Sequence, residues 1–175
     1  MIIGCTGNYR KSEYLDIVQH IDAFLSKCNI RCIVSSDMLN SPQINDNKGF
    51  EKLDIVDFSE LEILADIILC IGGDGTLLST ARRMENCKIP LLGIHIGGLG
   101  FLAEVSKDNI DKSLEFIVKG KYKTEERMRI ELLLKDKNST DKFIALNDIV
   151  VDHGKSGRIL KTKILVDNDY LNTYE

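Results

Sequence analysis

Residues 66–76, Asp66-Ile67-Ile68-Leu69-Cys70-Ile71-Gly72-Gly73-Asp74-Gly75-Thr76, constrain the fold more than any other stretch of the chain. The apolar run 67–71 shows no alternation, which fits a strand covered on both faces, the condition of a central strand in a parallel sheet. That strand delivers the chain straight into a glycine turn, and helical spacing resumes over 76–84. Strand, tight turn and helix in that order form the building unit of an α/β domain.

The same unit recurs on either side. Residues 2–6 read as a short buried strand, and Gly7-Asn8 as a turn. Tyr14, Ile17, Val18, Ile21, Phe24, Leu25 and Cys28 then fall on one face of a helix over 12–27. Residues 30–35 predict a second strand, parallel to the first and joined by a right-handed crossover. Residues 36–54 are polar and predict an exposed, mobile loop. Ser59 and Glu62 have the spacing of a capping box at a helix start. Residues 90–94 predict another buried strand, Gly97-Gly98-Leu99-Gly100-Phe101 a second glycine turn, and Asp108 the cap of a helix ending at Gly120. Beyond it the helical period stops, and 128–134, 143–146, 149–151 and 159–166 read as strands. The expected architecture is a Rossmann-like α/β domain with a parallel sheet over 1–120, followed over 121–175 by the first strands of an all-β region.

A strand ending in Gly72-Gly73-Asp74-Gly75-Thr76 brings backbone N–H groups and a helix N-terminus to one point, which attracts phosphate. No lysine follows the last glycine, so the pattern is not the Walker loop. A carboxylate stands there instead. Beside phosphate oxygens Asp74 needs a task, either holding Mg²⁺ or accepting a proton from an attacking hydroxyl, unless it only caps the helix that follows. His95, at a strand's carboxyl end between two glycine turns, either touches a ligand or packs locally. His20, off the apolar face of its helix, and His153, in a polar turn, read as solvated.

The glycine turn resembles that of a kinase superfamily containing NAD kinases, lipid and sphingoid-base kinases and, more distantly, phosphofructokinases. Two further stretches resemble NAD kinases in particular: residues 90–102, where a strand ends at His95 and Gly-x-Leu-Gly-Phe-Leu follows, and Ala145-Leu146-Asn147-Asp148, close to that family's Ala-Leu-Asn-Glu. The Gly-Thr-Gly-Asn-Asp of lipid kinases is absent from the second turn. The resemblance implies phosphorylation of the adenosine-ribose 2′-hydroxyl of NAD by ATP or polyphosphate. Mg²⁺ or another divalent cation would bridge the donor phosphates, with no residue of this chain assigned to it. It implies Asp74 as catalytic base, a phosphate cradle of Gly72, Gly73, Gly75 and Thr76, and Phe101 packing near adenine. Asn147 and Asp148 would hydrogen-bond the dinucleotide, Asp148 being one methylene shorter than the usual Glu. The end of the chain resembles the family segment just before its Gly-Asp-Gly stretch, so 121–175 is expected to be an incomplete NAD-binding β domain of a C-terminally truncated homo-oligomeric enzyme. The alternatives are a diacylglycerol or sphingoid-type lipid kinase, and a nucleotide-binding fragment without catalysis.

Composition bears on what else the chain can be. With 43% hydrophobic and 29% charged residues, its 175 residues can bury a core. A net charge of −4 with scattered basic residues gives no footprint for nucleic acid. No apolar run approaches the roughly 20 residues of a membrane span. The five cysteines are odd in number and mostly inside apolar segments, as for reduced core thiols, and Cys28 and Cys32 lack a second ligand pair for zinc. A cytoplasmic address follows as the expectation.

Overall fold

The computed structural model describes residues 1–41, 50–84, 88–98, 100–157 and 159–175. Ten strands and four α-helices are described in it: β1 (Ile2–Gly7), α1 (Glu13–Lys27), β2 (Arg31–Ser35), β3 (Asp54–Val56), α2 (Phe58–Leu64), β4 (Ile67–Gly72), α3 (Asp74–Arg83), β5 (Leu91–His95), β6 (Val105–Ser106), α4 (Ile110–Val118), β7 (Ile130–Lys135), β8 (Thr140–Ala145), β9 (Thr162–Val166) and β10 (Asp169–Tyr174). The first six strands form one sheet in the order β3-β2-β1-β4-β5-β6, with every neighbouring pair parallel. This is the strand order of a dinucleotide-binding doubly wound fold, whose switch point lies between β1 and β4.

All six residues of β4 are buried. Its Ile67, Leu69 and Ile71 point into a core shared with Val18, Ile21 and Leu25 of α1 and with Leu114 and Ile117 of α4. Ile68 points the other way, to Phe58 and Leu61 of α2 and Met84 at the end of α3. The unbroken apolar run is thus two alternating faces, each covered by its own pair of helices. At the switch point β1 and β4 come unusually close. Gly7 has φ +153°, and a Cβ there would lie 2.0 Å from the Ile71 carbonyl oxygen. Asn8 N–H donates to that same oxygen at 2.8 Å, so the turn after β1 is fastened to the end of β4.

Several expectations are corrected. The polar stretch 36–54 is not a plain loop: it holds short 3-10 turns at Ser36–Asn40 and Phe50–Lys52, a buried Met38 and Leu53, and the first residue of β3. Three residues of strand supply too little period to be seen in sequence. The remainder of that stretch, 42–49, lies outside the described residues. Ser59 is not the N-cap, because the cap lies two residues earlier at Asp57, whose carboxylate accepts from Ser36 Oγ at 2.8 Å. Asp108 sits in a 3-10 turn ahead of α4, whose N-cap is Asn109. The Gly120 end of α4 is as expected, with Lys121 N–H on the Phe116 carbonyl and Gly120 N–H on that of Ile117. His20 is exposed but not merely solvated: its Nε2 lies 2.5 Å from Asp111 Oδ1, tying α1 to α4.

After α4 the chain forms two antiparallel pairs, β7 with β8 and β9 with β10. No strand forms over 149–151, and β10 was not expected. β9 and β10 are joined by Asp167 and Asn168, both with positive φ, which is the two-residue turn that suits strand twist. The first pair is tied to the α/β body by Arg129, whose guanidinium donates to the carbonyls of Ala81 and Met84 at the end of α3.

Cys5, Cys32 and Cys70 are buried and Cys28 is exposed, all of them free thiols. Burial pushes the Cys70 thiol up to about 11, with the Thr80 hydroxyl partly offsetting it. In native protein at pH 8 an alkylating reagent will therefore modify Cys28 and leave Cys5, Cys32 and Cys70 until the chain is unfolded, as peptide mass mapping can read. Leu69→Ala, at a side chain with no exposed surface, will lower unfolding free energy by about 2–5 kcal/mol in denaturant titration.

Candidate functional site

Each strand of a parallel sheet ends at the same edge, so the turns after β1, β4 and β5 meet there. Gly72 still belongs to β4: its carbonyl accepts from Ile96 N–H at 2.8 Å, extending the pairing with β5. Gly73 is the N-cap of α3, and its N–H reaches Thr76 Oγ1 at 3.4 Å. Asp74 and Gly75 are the first residues of the helix, where backbone N–H groups have no carbonyl one turn earlier to bond. Among the described residues nothing lies within 4 Å of where a side chain would begin at Gly73, Gly75, Gly97 or Gly98. The two glycine turns therefore flank open space.

Asp74 does something the sequence did not disclose. It does not cap its own helix. Its carboxylate reaches across to the second glycine turn, where Oδ2 accepts from Phe101 N–H at 2.8 Å and Oδ1 from Leu102 N–H at 3.0 Å and Ala103 N–H at 3.3 Å. These peptide bonds, led by that of Phe101, hold the carboxyl below its ordinary range, and His95 adds to the effect. A carboxylate has about four lone-pair positions. Three are taken, and one is left for a further donor.

His95 closes β5 and is 8% exposed, and among the described residues its Nδ1 has no hydrogen-bond partner. Buried polar atoms are rarely left so, and a ligand or a water is the usual partner of such an orphan. Phe101 projects entirely into solvent. Asn147 and Leu102 line a common cavity of about 830 Å³ beside β5 and α4, with Leu77, Gly93 and Phe116. That volume suits a ligand of nucleotide size. Asp148 is exposed and is not among the lining residues. The structure thus gathers Gly72, Gly73, Asp74, Gly75, Thr76, His95 and Phe101 at one sheet edge, while Asn147 lines the cavity that Leu102 also lines and the exposed Asp148 follows it in the chain. The amides of Leu102 and Ala103 were missed in sequence, since no residue type advertises a backbone donor.

Residues 3–122 match the family described as "ATP-NAD kinase N-terminal domain". Among curated relatives, NAD kinase of Flavobacterium johnsoniae is 32% identical over 99% of this chain and 60% of its own length. NAD kinase of Natranaerobius thermophilus is 33% identical over 98% of this chain and 58% of its own. NAD kinases of Clostridium botulinum strains reach 41% identity over 62% of this chain and 39% of theirs. The chain thus spans roughly two fifths to three fifths of the length of these relatives. The crystal structure of yeast NADH kinase complexed with NADH superposes with a TM-score of 0.80 at 23% identity, covering 99% of this chain and 54% of that one, a likeness of fold.

A carboxyl whose folded pKa is depressed contributes stability above its unfolded pKa and loses it as pH falls through the folded value. The second glycine turn should therefore stay closed through the ordinary carboxylate range and open only at more acid pH. Amide resonances of Phe101, Leu102 and Ala103, followed through an acid titration, will shift together at that lower pH, and Asp74→Asn will abolish the shift.

Proposed function

This chain belongs to the ATP-NAD kinase family, and from that membership we propose that it transfers a phosphoryl group from ATP or polyphosphate to the adenosine-ribose 2′-hydroxyl of NAD, giving NADP. The observation that carries the reading is the Asp74 carboxylate, aimed between two glycine turns at the end of β4 with one acceptor position free. In the transfer, the acceptor oxygen forms a bond to the terminal phosphorus, the bond from that phosphorus to its bridging oxygen breaks, and ADP or shortened polyphosphate leaves. The hydroxyl proton passes to Asp74. A carboxylate with a lowered pKa is a weak base, which suffices here, because a loose, metaphosphate-like transition state asks more for alignment of the nucleophile than for early proton removal.

In this reading the turn of Gly73, Gly75 and Thr76 receives donor phosphate, with the Gly75 amide of the first helical turn as donor and the amides of Gly73 and Thr76 already bonded within the turn, while the cavity lined by Asn147 and Leu102 receives part of the dinucleotide and the Phe101 ring and His95 lie toward it. Among the described residues no group of three His, Cys, Asp or Glu side chains forms a metal cage. Mg²⁺, when bound, would enter with the donor and neutralise charge on its phosphates, and no step is routed through a metal held by the chain. The reading includes a homo-oligomeric, cytoplasmic enzyme. No helix among the described residues is long and apolar enough to cross a membrane.

Incubation with labelled ATP, Mg²⁺ and either NAD or a diacylglycerol acceptor tests the reading directly. Labelled NADP is the expected product. A labelled lipid would overturn the acceptor, and NAD binding with no transfer would select a nucleotide-binding module instead. Asp74→Asn is expected to lower NADP formation by roughly 10² to 10⁴ while NAD still binds, as measured by coupled assay and by titration calorimetry.

A further inference from the structure

We propose that Gly100 is a positioning residue for Asp74: with no side chain at position 100, the turn closes onto the carboxylate and its peptide N–H groups fix where that carboxylate points. The proposal rests on the reading of Asp74 as the group that meets the acceptor hydroxyl. A Cβ at 100 would stand 2.2 Å from Asp74 Oδ1, 2.7 Å from its Cγ and 2.9 Å from Oδ2. Those distances lie well inside van der Waals contact, so any side chain at 100 must displace either the turn or the carboxylate. The other glycines of the second turn differ in kind. Among the described residues, Gly97 and Gly98 have nothing within 4 Å of a built Cβ. Glycine at 100 is thus required by close approach to the protein's own carboxylate and not by the approach of a phosphate.

The mechanical consequence follows from the donors. Bonds from Phe101, Leu102 and Ala103 grip both carboxylate oxygens at once, so the group cannot rotate about its side-chain bonds without breaking charge-assisted hydrogen bonds. The remaining acceptor direction is then fixed before substrate arrives. The same bonds order the backbone at Phe101, whose ring is fully exposed. The Phe101 backbone and the proton acceptor are thereby held at a set separation, and a pre-set acceptor direction lowers the entropic cost of aligning a sugar hydroxyl with its base. Besides these three amides, the titratable group whose charge acts on Asp74 is His95 at the end of β5.

The test compares isotope-labelled wild-type protein with Gly100→Ala, Gly98→Ala and Asp74→Asn by nuclear magnetic resonance. In Gly100→Ala the Asp74 carboxyl titration will move up toward that of an ordinary aspartate, and the amides of Phe101, Leu102 and Ala103 will exchange about tenfold faster. Gly98→Ala will leave both unchanged. In the phosphotransfer assay Gly100→Ala will lower kcat with KM for NAD little altered, and in the Asp74→Asn background it will cost little more, as expected of a residue that acts through Asp74. If Gly100→Ala does not fold, Asp74→Asn alone decides: faster exchange at the three amides upholds the clamp. An unchanged Asp74 titration in folded Gly100→Ala, or unchanged exchange in Asp74→Asn, overturns the proposal. These resonance measurements need no turnover, so they stand even where the phosphotransfer reading fails.

Discussion

The structure is organised around the parallel pairing of β1 with β4. These two strands are adjacent in the sheet but far apart in sequence, with Ile3 beside Ile67 and Gly7 beside Ile71. From β1 the chain winds outward to β2 and β3, and from β4 it winds outward in the other direction to β5 and β6. The turns after β1 and β4 therefore diverge and leave a crevice between them. Their contact is so close that the backbone of Gly7 fills the space a side chain would need. Each strand buries both faces, so the pairing also fixes which helices cover which side. α1 and α4 share one core, and α2 shares the other with the end of α3.

On that frame the site is an arrangement of backbone donors around one carboxylate. The helix N-terminus at Gly73 and Asp74 favours negative charge, and so does the row of amides from 101 to 103. The amides of Phe101, Leu102 and Ala103 act on Asp74 directly and hold its carboxyl below the ordinary range. A phosphate entering at Gly75 and Thr76, as proposed, would meet a negative group already neutralised in part by its own hydrogen bonds. The second glycine turn thus serves the first. It supplies the acid with its geometry, and it carries the aromatic ring and the cavity wall on either side of that acid.

The β-rich part is joined to this frame through few contacts that carry direction. Arg129 binds the carbonyl end of α3, and Leu146 and Asn147 line the cavity beside β5. The two strand pairs leave Leu134, Leu165 and Leu171 half or more exposed. Two-stranded pairs are marginal by themselves, so it is the docking onto α3 that places Asn147.

Much of this was determined by sequence. An apolar run entering Gly-Gly-Asp-Gly-Thr is itself the signal for a buried strand, a tight glycine turn and a helix, because each depends on neighbouring residues only. The helical period of α1 and the Gly120 stop are local in the same sense. Where sequence misled, short-range rules competed with distant partners: Ser59 had the spacing of a cap, yet Asp57 took that place with Ser36 as its partner. β3 and β10 were invisible because three residues, or a polar alternating run such as Asp169–Tyr174, carry too little apolar period until a neighbouring strand pairs with them. Only tertiary structure could decide what Asp74 bonds. The choice between capping its own helix and gripping amides 27 to 29 residues away depends on how β4 and β5 bring their turns together, and peptide N–H groups leave no mark in a sequence.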